Sequence, residues 1–214
     1  MLESLSKGFL ELKRDEVLAT VKARIERGED ALEILEDARR AMTAVGDQFQ
    51  EGTLFLAQMM LAAELFKGVM VILKPHLDQA RPAEALGKVV LATPKGDIHD
   101  LGKNILVTLL EAQGFEVHDL GVDVDPSLVS QKVREVKPDF VGFSSLITTA
   151  FASMKRTAEI FEEEGVRDAF KLMVGGGVTT PLLKEHVGAD FQTTDATEGV
   201  AYCLKMMQEK SHAQ

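Results

Sequence analysis

The sequence predicts a helical half followed by an α/β half: a small four-helix bundle, then a five-stranded parallel sheet covered on both faces. Two observations on pattern carry this. Residues 1 to about 80 keep the three- and four-residue spacing of amphipathic helices, whereas from Lys88 short apolar runs alternate with amphipathic ones. Pro75 and Pro82, the first prolines in the chain, mark the exit from the helical part. The chain has 214 residues, enough for two small domains, which divide at 1–84 and 85–214.

In the helical half, "DEVLATVKARIERG" and "ALEILEDARRAMTAVGDQFQEG" each run at helical period to a closing glycine. Between Gln58 and Leu73, Met59, Ala63, Phe66, Met70 and Leu73 recur on one face. Met42, Met59, Met60 and Met70 are expected to fill the core, because Met adapts to irregular gaps. In the second half the strands are "VVLAT", "FEVHDLG", "DFVGFSS", "FKLMVGGG" and "ADFQTTD". The helices between and after them are "NILVTLLEAQG", "PSLVSQKVREV", "AFASMKRTAEIFEEEG", "TPLLKEHVG" and "ATEGVAYCLKMMQEK". Right-handed crossovers then bring every strand's carboxyl end to one edge, where open α/β sheets bind ligands.

Composition narrows the function. With 24 basic and 34 acidic residues the formal net charge is -10, which argues against nonspecific binding to nucleic acid or to an anionic membrane. One cysteine, Cys203, allows no internal disulfide and no Cys-rich metal site. The amphipathic N-terminus is unlike a signal peptide, and the apolar runs look short for a membrane span, so the expected location is the cytoplasm. Asp37, Arg39, Arg40 and Glu162 to Glu164 read as solvated helix faces.

Three segments collect at the carboxyl edge: Asp97-Ile98-His99 after the first strand, Ser144 to Thr148 after the third, and Gly175 to Gly177 after the fourth. The first turn lacks the G-x-G-x-x-G of a dinucleotide site, and Asp97 lacks the acidic cluster of a phospho-acceptor. The Asp97–His99 pair fits an ordinary loop, a catalytic acid–base pair or a metal-binding imidazole. A ligating imidazole usually donates its other N–H to a carboxylate. One histidine is too few for a zinc site built by protein alone, but it suits a metal held by a macrocycle with an axial position open. By itself D-x-H-x-x-G is weak, arising by chance in roughly one chain in forty of this length; its coincidence with the Ser and Gly segments is far more specific.

Taken together, "GDIHDLGKN", "SSLITT" and "VGGG", with "VGDQFQEGTLFLAQMMLAAELFKGVMVILKP" upstream, resemble the cobalamin-binding (corrinoid) proteins of methyl-transfer systems. They are similar also to the cobalamin region of methionine synthase, and the resemblance runs from about Glu16 to Gln208. It implies that the bundle caps the corrin ring and that a Rossmann-like (flavodoxin-like) domain holds its lower face and nucleotide tail. His99 would be the lower axial ligand to cobalt, replacing the cofactor's own base, and Asp97 would tune it as its catalytic partner. The tail would enter a slot lined by Ser144, Leu146, Thr148, Gly175 and Gly176, with Gly102 opening the first helix. Phe49, Leu56 and Met59 would shield the methyl group on the upper face.

The resemblance further implies a carrier of methylcobalamin and cob(I)alamin, active only with partners. These are a substrate-specific methyltransferase, a second methyltransferase using tetrahydrofolate or a thiol, and a reductive activase. Methanol, methylamines, betaines and aryl methyl ethers are the donors of the class. The chain departs from it at Ala150, where some relatives extend the relay with a hydroxyl; the relay here is expected to run through Thr148, Thr149 or water, or to be weaker. Ala57 and Gln192 also stand where proline and tyrosine are frequent. Two other readings are a cobalamin-dependent sensor, which would add a basic DNA-binding module, and the small subunit of a cobalamin-dependent mutase.

Overall fold

The computed structural model describes residues 4–80 and 85–212. They form two compact units, one within 1–84 and the other within 85–214.

The first unit contains α1 (Ser4–Leu10), α2 (Arg14–Glu26), α3 (Ala31–Gln50) and α4 (Leu56–Ala80). Asp30 starts α3 by accepting a hydrogen bond from the backbone N–H of Leu32, which satisfies one of the orphan donors of the first turn. The buried stripe of α3 is Ile34, Leu35, Ala38, Ala41, Met42 and Val45, at helical spacing. It meets Phe9 of α1 and the inner face of α4, where Leu65, Phe66, Val69 and Leu73 are buried.

Several expectations for this unit need correction. Pro75 does not end the helix, since α4 continues to Ala80; Pro82 lies outside the described residues. A proline inside a helix orphans the carbonyl four residues back, but here Val71 and Pro75 are both on the exposed side of the helix, where that carbonyl need not be buried. Met42 and Met59 are core residues and Met70 is half-buried, while Met60 is exposed, because one step along a helix turns a side chain about 100° away from its neighbour. Asp37 is not a solvated acid: it accepts from Arg24 Nη1 at 2.7 Å and also pairs with Arg40. Finally, Leu56–Leu77 is long and apolar enough to cross a membrane by length and composition. Its apolar residues include the inner face just described, which is how the core helix of a bundle also reads.

The second unit alternates strand and helix throughout. Its elements are β1 (Lys88–Ala92), α5 (Leu101–Ala112), β2 (Glu116–Asp119), α6 (Pro126–Val136), β3 (Phe140–Ser144), α7 (Phe151–Glu163), β4 (Lys171–Gly175), α8 (Pro181–Val187), β5 (Phe191–Thr193) and α9 (Ala196–His212). All pairings are parallel, in the order β2-β1-β3-β4-β5. Helices α5 and α9 pack together, and α6, α7 and α8 pack in series, which gives a doubly wound sheet. Covered on both faces, the central strands are continuously apolar: Val89, Val90, Leu91 and Ala92 in β1, and Phe140, Val141 and Phe143 in β3, are all buried. The chain leaves β1 and β3 toward opposite faces, so a crevice opens between their carboxyl ends.

Candidate functional site

The loop of residues 93–100 leaves β1 at this crevice and is pinned on the side of β2. Thr93 N–H donates to Gly121 O (2.9 Å) and Val124 N–H to Thr93 O (3.0 Å), so the strand pairing continues as an isolated bridge between Pro94 and Val124. Asp97 O accepts from Asp123 N–H at 2.9 Å, and Thr93 Oγ1 donates to His99 O at 2.9 Å.

Asp97 is fully buried, and its carboxylate receives four hydrogen bonds. Oδ1 accepts from the backbone N–H of His99 (2.8 Å) and pairs with His99 Nδ1 (2.7 Å); Oδ2 accepts from Ser145 Oγ (2.5 Å) and the backbone N–H of Leu146 (2.8 Å). Burial alone would raise its pKa. The Ser145 hydroxyl, the two backbone N–H groups and the imidazole outweigh burial and lower it from 3.8 to about 2. The carboxylate is therefore ionised at neutral pH and acts only as an acceptor.

That fixes the tautomer of His99. An ionised acceptor at Nδ1 requires Nδ1–H, which leaves the lone pair on Nε2. Nε2 has no protein partner among the described residues, and the side chain is half exposed. Beside it in the chain, Ile98 and Leu101 are 74% and 50% exposed, and Leu146, whose N–H holds Asp97, is 45% exposed. An aimed, basic nitrogen among open apolar side chains suits a flat apolar ring with a metal at its centre. No group of three or more His, Cys, Asp and Glu among the described residues could hold a metal unaided.

Room is left at Gly102, three residues after His99. A Cβ built at Gly102 would meet only Ser144 Oγ, at 3.7 Å, so the glycine leaves a cradle over that hydroxyl that a larger side chain would fill. Gly176 has another reason to be glycine. Its φ is +107°, and a Cβ there would come within 2.1 Å of Ser145 O, so the turn after β4 closes directly onto the backbone that aims Ser145. A Cβ at Gly175 would lie 3.2 Å from Thr193 O.

Of the residues singled out in the sequence, Asp97, His99 and Leu146 are thus brought together, with Ser144 beside Gly102 and Gly175–Gly176 against the end of β3. Thr148 and Thr149 are exposed on the turn Thr148–Ala150, and the hydroxyl that meets Asp97 is that of Ser145 rather than of either threonine. In the helical unit, Phe49 and Leu56 are half-buried, while Met59 is enclosed in the core. Gln192 donates to Thr179 Oγ1 at 3.1 Å.

Sequence reasoning passed over Thr93, Asp123 and Lys103, and chose Ser144 rather than Ser145 from the serine doublet. Lys103 is buried, with Nζ 2.6 Å from Asp119 Oδ2 and 2.8 Å from Asn104 Oδ1. The signal was available: Lys103 shares the apolar face of its helix with Leu110, seven residues on. For Ser145 the doublet Ser144-Ser145 was visible, but not which hydroxyl reaches Asp97.

Comparison with known proteins agrees with this geometry. Residues 87–201 match a B12 binding domain, and residues 1–74 match a second B12 binding domain model. The chain is 38% identical over 209 residues to a dimethylamine corrinoid protein of Methanosarcina barkeri, covering 97% of each. It is similar in structure to a cobalamin-binding protein of Desulfitobacterium hafniense (TM-score 0.81, 34% identity, 96% of this chain and 98% of that one). It is similar also to a chain in the methanol:cobalamin methyltransferase complex of Methanosarcina barkeri (TM-score 0.85, 26% identity, 97% of this chain and 79% of that one). With paired B12 binding domains along its length and a single free imidazole nitrogen at the sheet's switch point, the chain belongs to the family of cobalamin-binding corrinoid proteins.

Proposed function

We propose that this protein is a methyl carrier, which receives a methyl group from a substrate-specific methyltransferase and presents it to a second methyltransferase. The bound corrinoid supplies the cobalt that holds the methyl group. The observation that carries the reading is the Asp97–His99 pair, an imidazole whose tautomer is set by a buried carboxylate and whose Nε2 is free.

In this reading His99 Nε2 would hold the cobalt, in place of the cofactor's own base. Gly102, Ser144, Leu146, Thr148, Gly175 and Gly176 line the path of the nucleotide tail. Phe49 and Leu56, half-buried on the helical unit, would shield the methyl group, with Met59 in the core of that unit. Asp97 has all its acceptor positions filled, so it holds the proton on Nδ1 and takes none itself. When the imidazole is not ligating, the incoming proton resides on Nε2, and Asp97 stabilises the imidazolium across the 2.7 Å bond.

The names of the relatives make a methylated amine the first donor to test, and the methanol complex supports docking of a methyltransferase on the carrier. A reductive activase and a tetrahydrofolate- or thiol-dependent acceptor enzyme complete the proposed set of partners.

The test is the visible spectrum of the protein reconstituted anaerobically with methylcobalamin, compared with His99→Ala. Stoichiometric binding with a spectrum that moves toward the base-off form in the variant is expected. An unchanged spectrum would remove His99 from the axial position. Transfer of the methyl group to a corrinoid-dependent methyltransferase, absent without this chain, then tests the carrier role.

A further inference from the structure

Asp123 lies outside every motif that points to cobalamin, in the loop between β2 and α6, yet its polar contacts converge on the loop that bears His99. Its backbone N–H donates to Asp97 O at 2.9 Å, and its Oδ1 accepts from Gly96 N–H at 2.8 Å. Thus it grips the residue before Asp97 and Asp97 itself. To do so it adopts φ +53°, a left-handed conformation that asparagine, aspartate and glycine tolerate best.

The ordinary structural tasks of this loop fall to other residues. Asp125 caps α6 through Ser127 N–H and Ser127 Oγ, and Asp119 Oδ1 turns the chain after β2 by accepting from Gly121 N–H. The side-chain partners left to Asp123 are Gly96 N–H and Lys95 Nζ at 3.5 Å, and the Lys95 pair is exposed on both sides and therefore weak. Asp97 Oδ1 meets both the backbone N–H and the ring of His99, so the aim of the imidazole follows the position of the Asp97 backbone.

We propose that Asp123 is a positioning residue for the axial imidazole, clamping Gly96 and Asp97 from the side of β2 so that Nε2 is held at one angle before the corrinoid arrives. The inference rests on the axial role of His99 proposed above. Asp123 touches neither cofactor nor substrate in this scheme; it acts through Asp97.

Three substitutions separate its two contributions. Asp123→Asn keeps both the left-handed backbone and the acceptor, Asp123→Gly keeps only the backbone, and Asp123→Ala keeps neither. Each variant, with His99→Ala as reference, is reconstituted with methylcobalamin, and the ratio of imidazole-ligated to unligated cofactor is read from the visible spectrum at one pH. Amide hydrogen exchange of the peptide spanning Asp97 and His99 is followed in the cofactor-free proteins, and thermal melting shows that each variant folds.

The ratio should fall about tenfold in Asp123→Ala, less in Asp123→Gly, and stay within about twofold of the parent in Asp123→Asn. Exchange of the Asp97–His99 peptide should quicken in the same order. A parent-like ratio in Asp123→Ala, with His99→Ala still shifting the spectrum, would overturn the clamp and leave the axial assignment standing. An Asp123→Asn variant as impaired as Asp123→Ala would also overturn it, since charge rather than aim would then be at stake. If His99→Ala leaves the spectrum unchanged, the axial reading itself fails, and the clamp with it.

Discussion

Arg24 in the helical unit and Asp97 in the α/β unit are both charged groups withdrawn from water, but their surroundings differ in kind. Arg24 is met by two carboxylates, Glu29 at 2.7 Å from Nε and Asp37 at 2.7 Å from Nη1. Its charge is neutralised on the spot, and the knot ties α2 to α3. Around Asp97 every donor is a dipole or an imidazole: two backbone N–H groups, the Ser145 hydroxyl and His99. No cation of fixed charge is hydrogen-bonded to it, so its field remains directed along the Nδ1–H of His99. One arrangement holds helices together, whereas the other keeps a negative charge behind an imidazole. The lesson is that burial of a charge marks a functional group only when its partners leave that charge unspent.

The sharpest way to break the contrast is Asp97→Ala. It removes the acceptor of the His99 and Leu146 N–H groups and leaves Ser145 Oγ with Ile147 alone, at about 4 kcal/mol of stability, and frees the His99 ring. Chemical denaturation should show the loss, and reconstituted protein should show the spectrum of His99→Ala. Arg24→Ala should cost about 3 kcal/mol by the same denaturation assay, because two carboxylates lose their common partner, but it should leave the corrinoid spectrum as in the parent. A shifted spectrum there would mean that the two charges are not separable.

Acid gives the next effect in size. Asp97 has a folded pKa of about 2 against 3.8, so it favours the folded state by about 2 kcal/mol above pH 4. Because the folded value is the lower one, that contribution is present above the unfolded pKa and disappears as pH falls from about 4 toward 2. Urea midpoints across that window should fall less steeply in Asp97→Ala than in the parent. Ser145→Ala should be the mildest change, about 1 kcal/mol, with the acid limb moved to higher pH because one of the donors holding the carboxylate down is gone. If Ser145→Ala leaves that limb in place, the hydroxyl is not among the groups that lower Asp97.

Much of this was legible beforehand. The change of period near Lys88, the alternation of strands with helices and the gathering of Asp97, His99 and the glycines at one edge follow from spacing and from the handedness of parallel crossovers. Less accessible were features set by neighbours far along the chain. Pro75 reads as a helix end, yet α4 runs through it on its exposed side, where the orphaned carbonyl need not be buried. Asp37 reads as a surface acid until Arg24, on another helix, is placed against it.

Local chemistry determined the two-part architecture and the chemical identity of the site: a carboxylate and an imidazole two residues apart at the end of a buried strand. Periodicity and turn residues are properties of short segments, and they survive folding unchanged. Only the tertiary structure decided which hydroxyl serves Asp97, where Gly176 must yield to Ser145 O, and that Asp123 braces the loop from outside. Those contacts join residues brought side by side by the pairing of β1 with β2 and β3, and a shift of one residue in the β1–β3 register would move Ser145 away from the carboxylate.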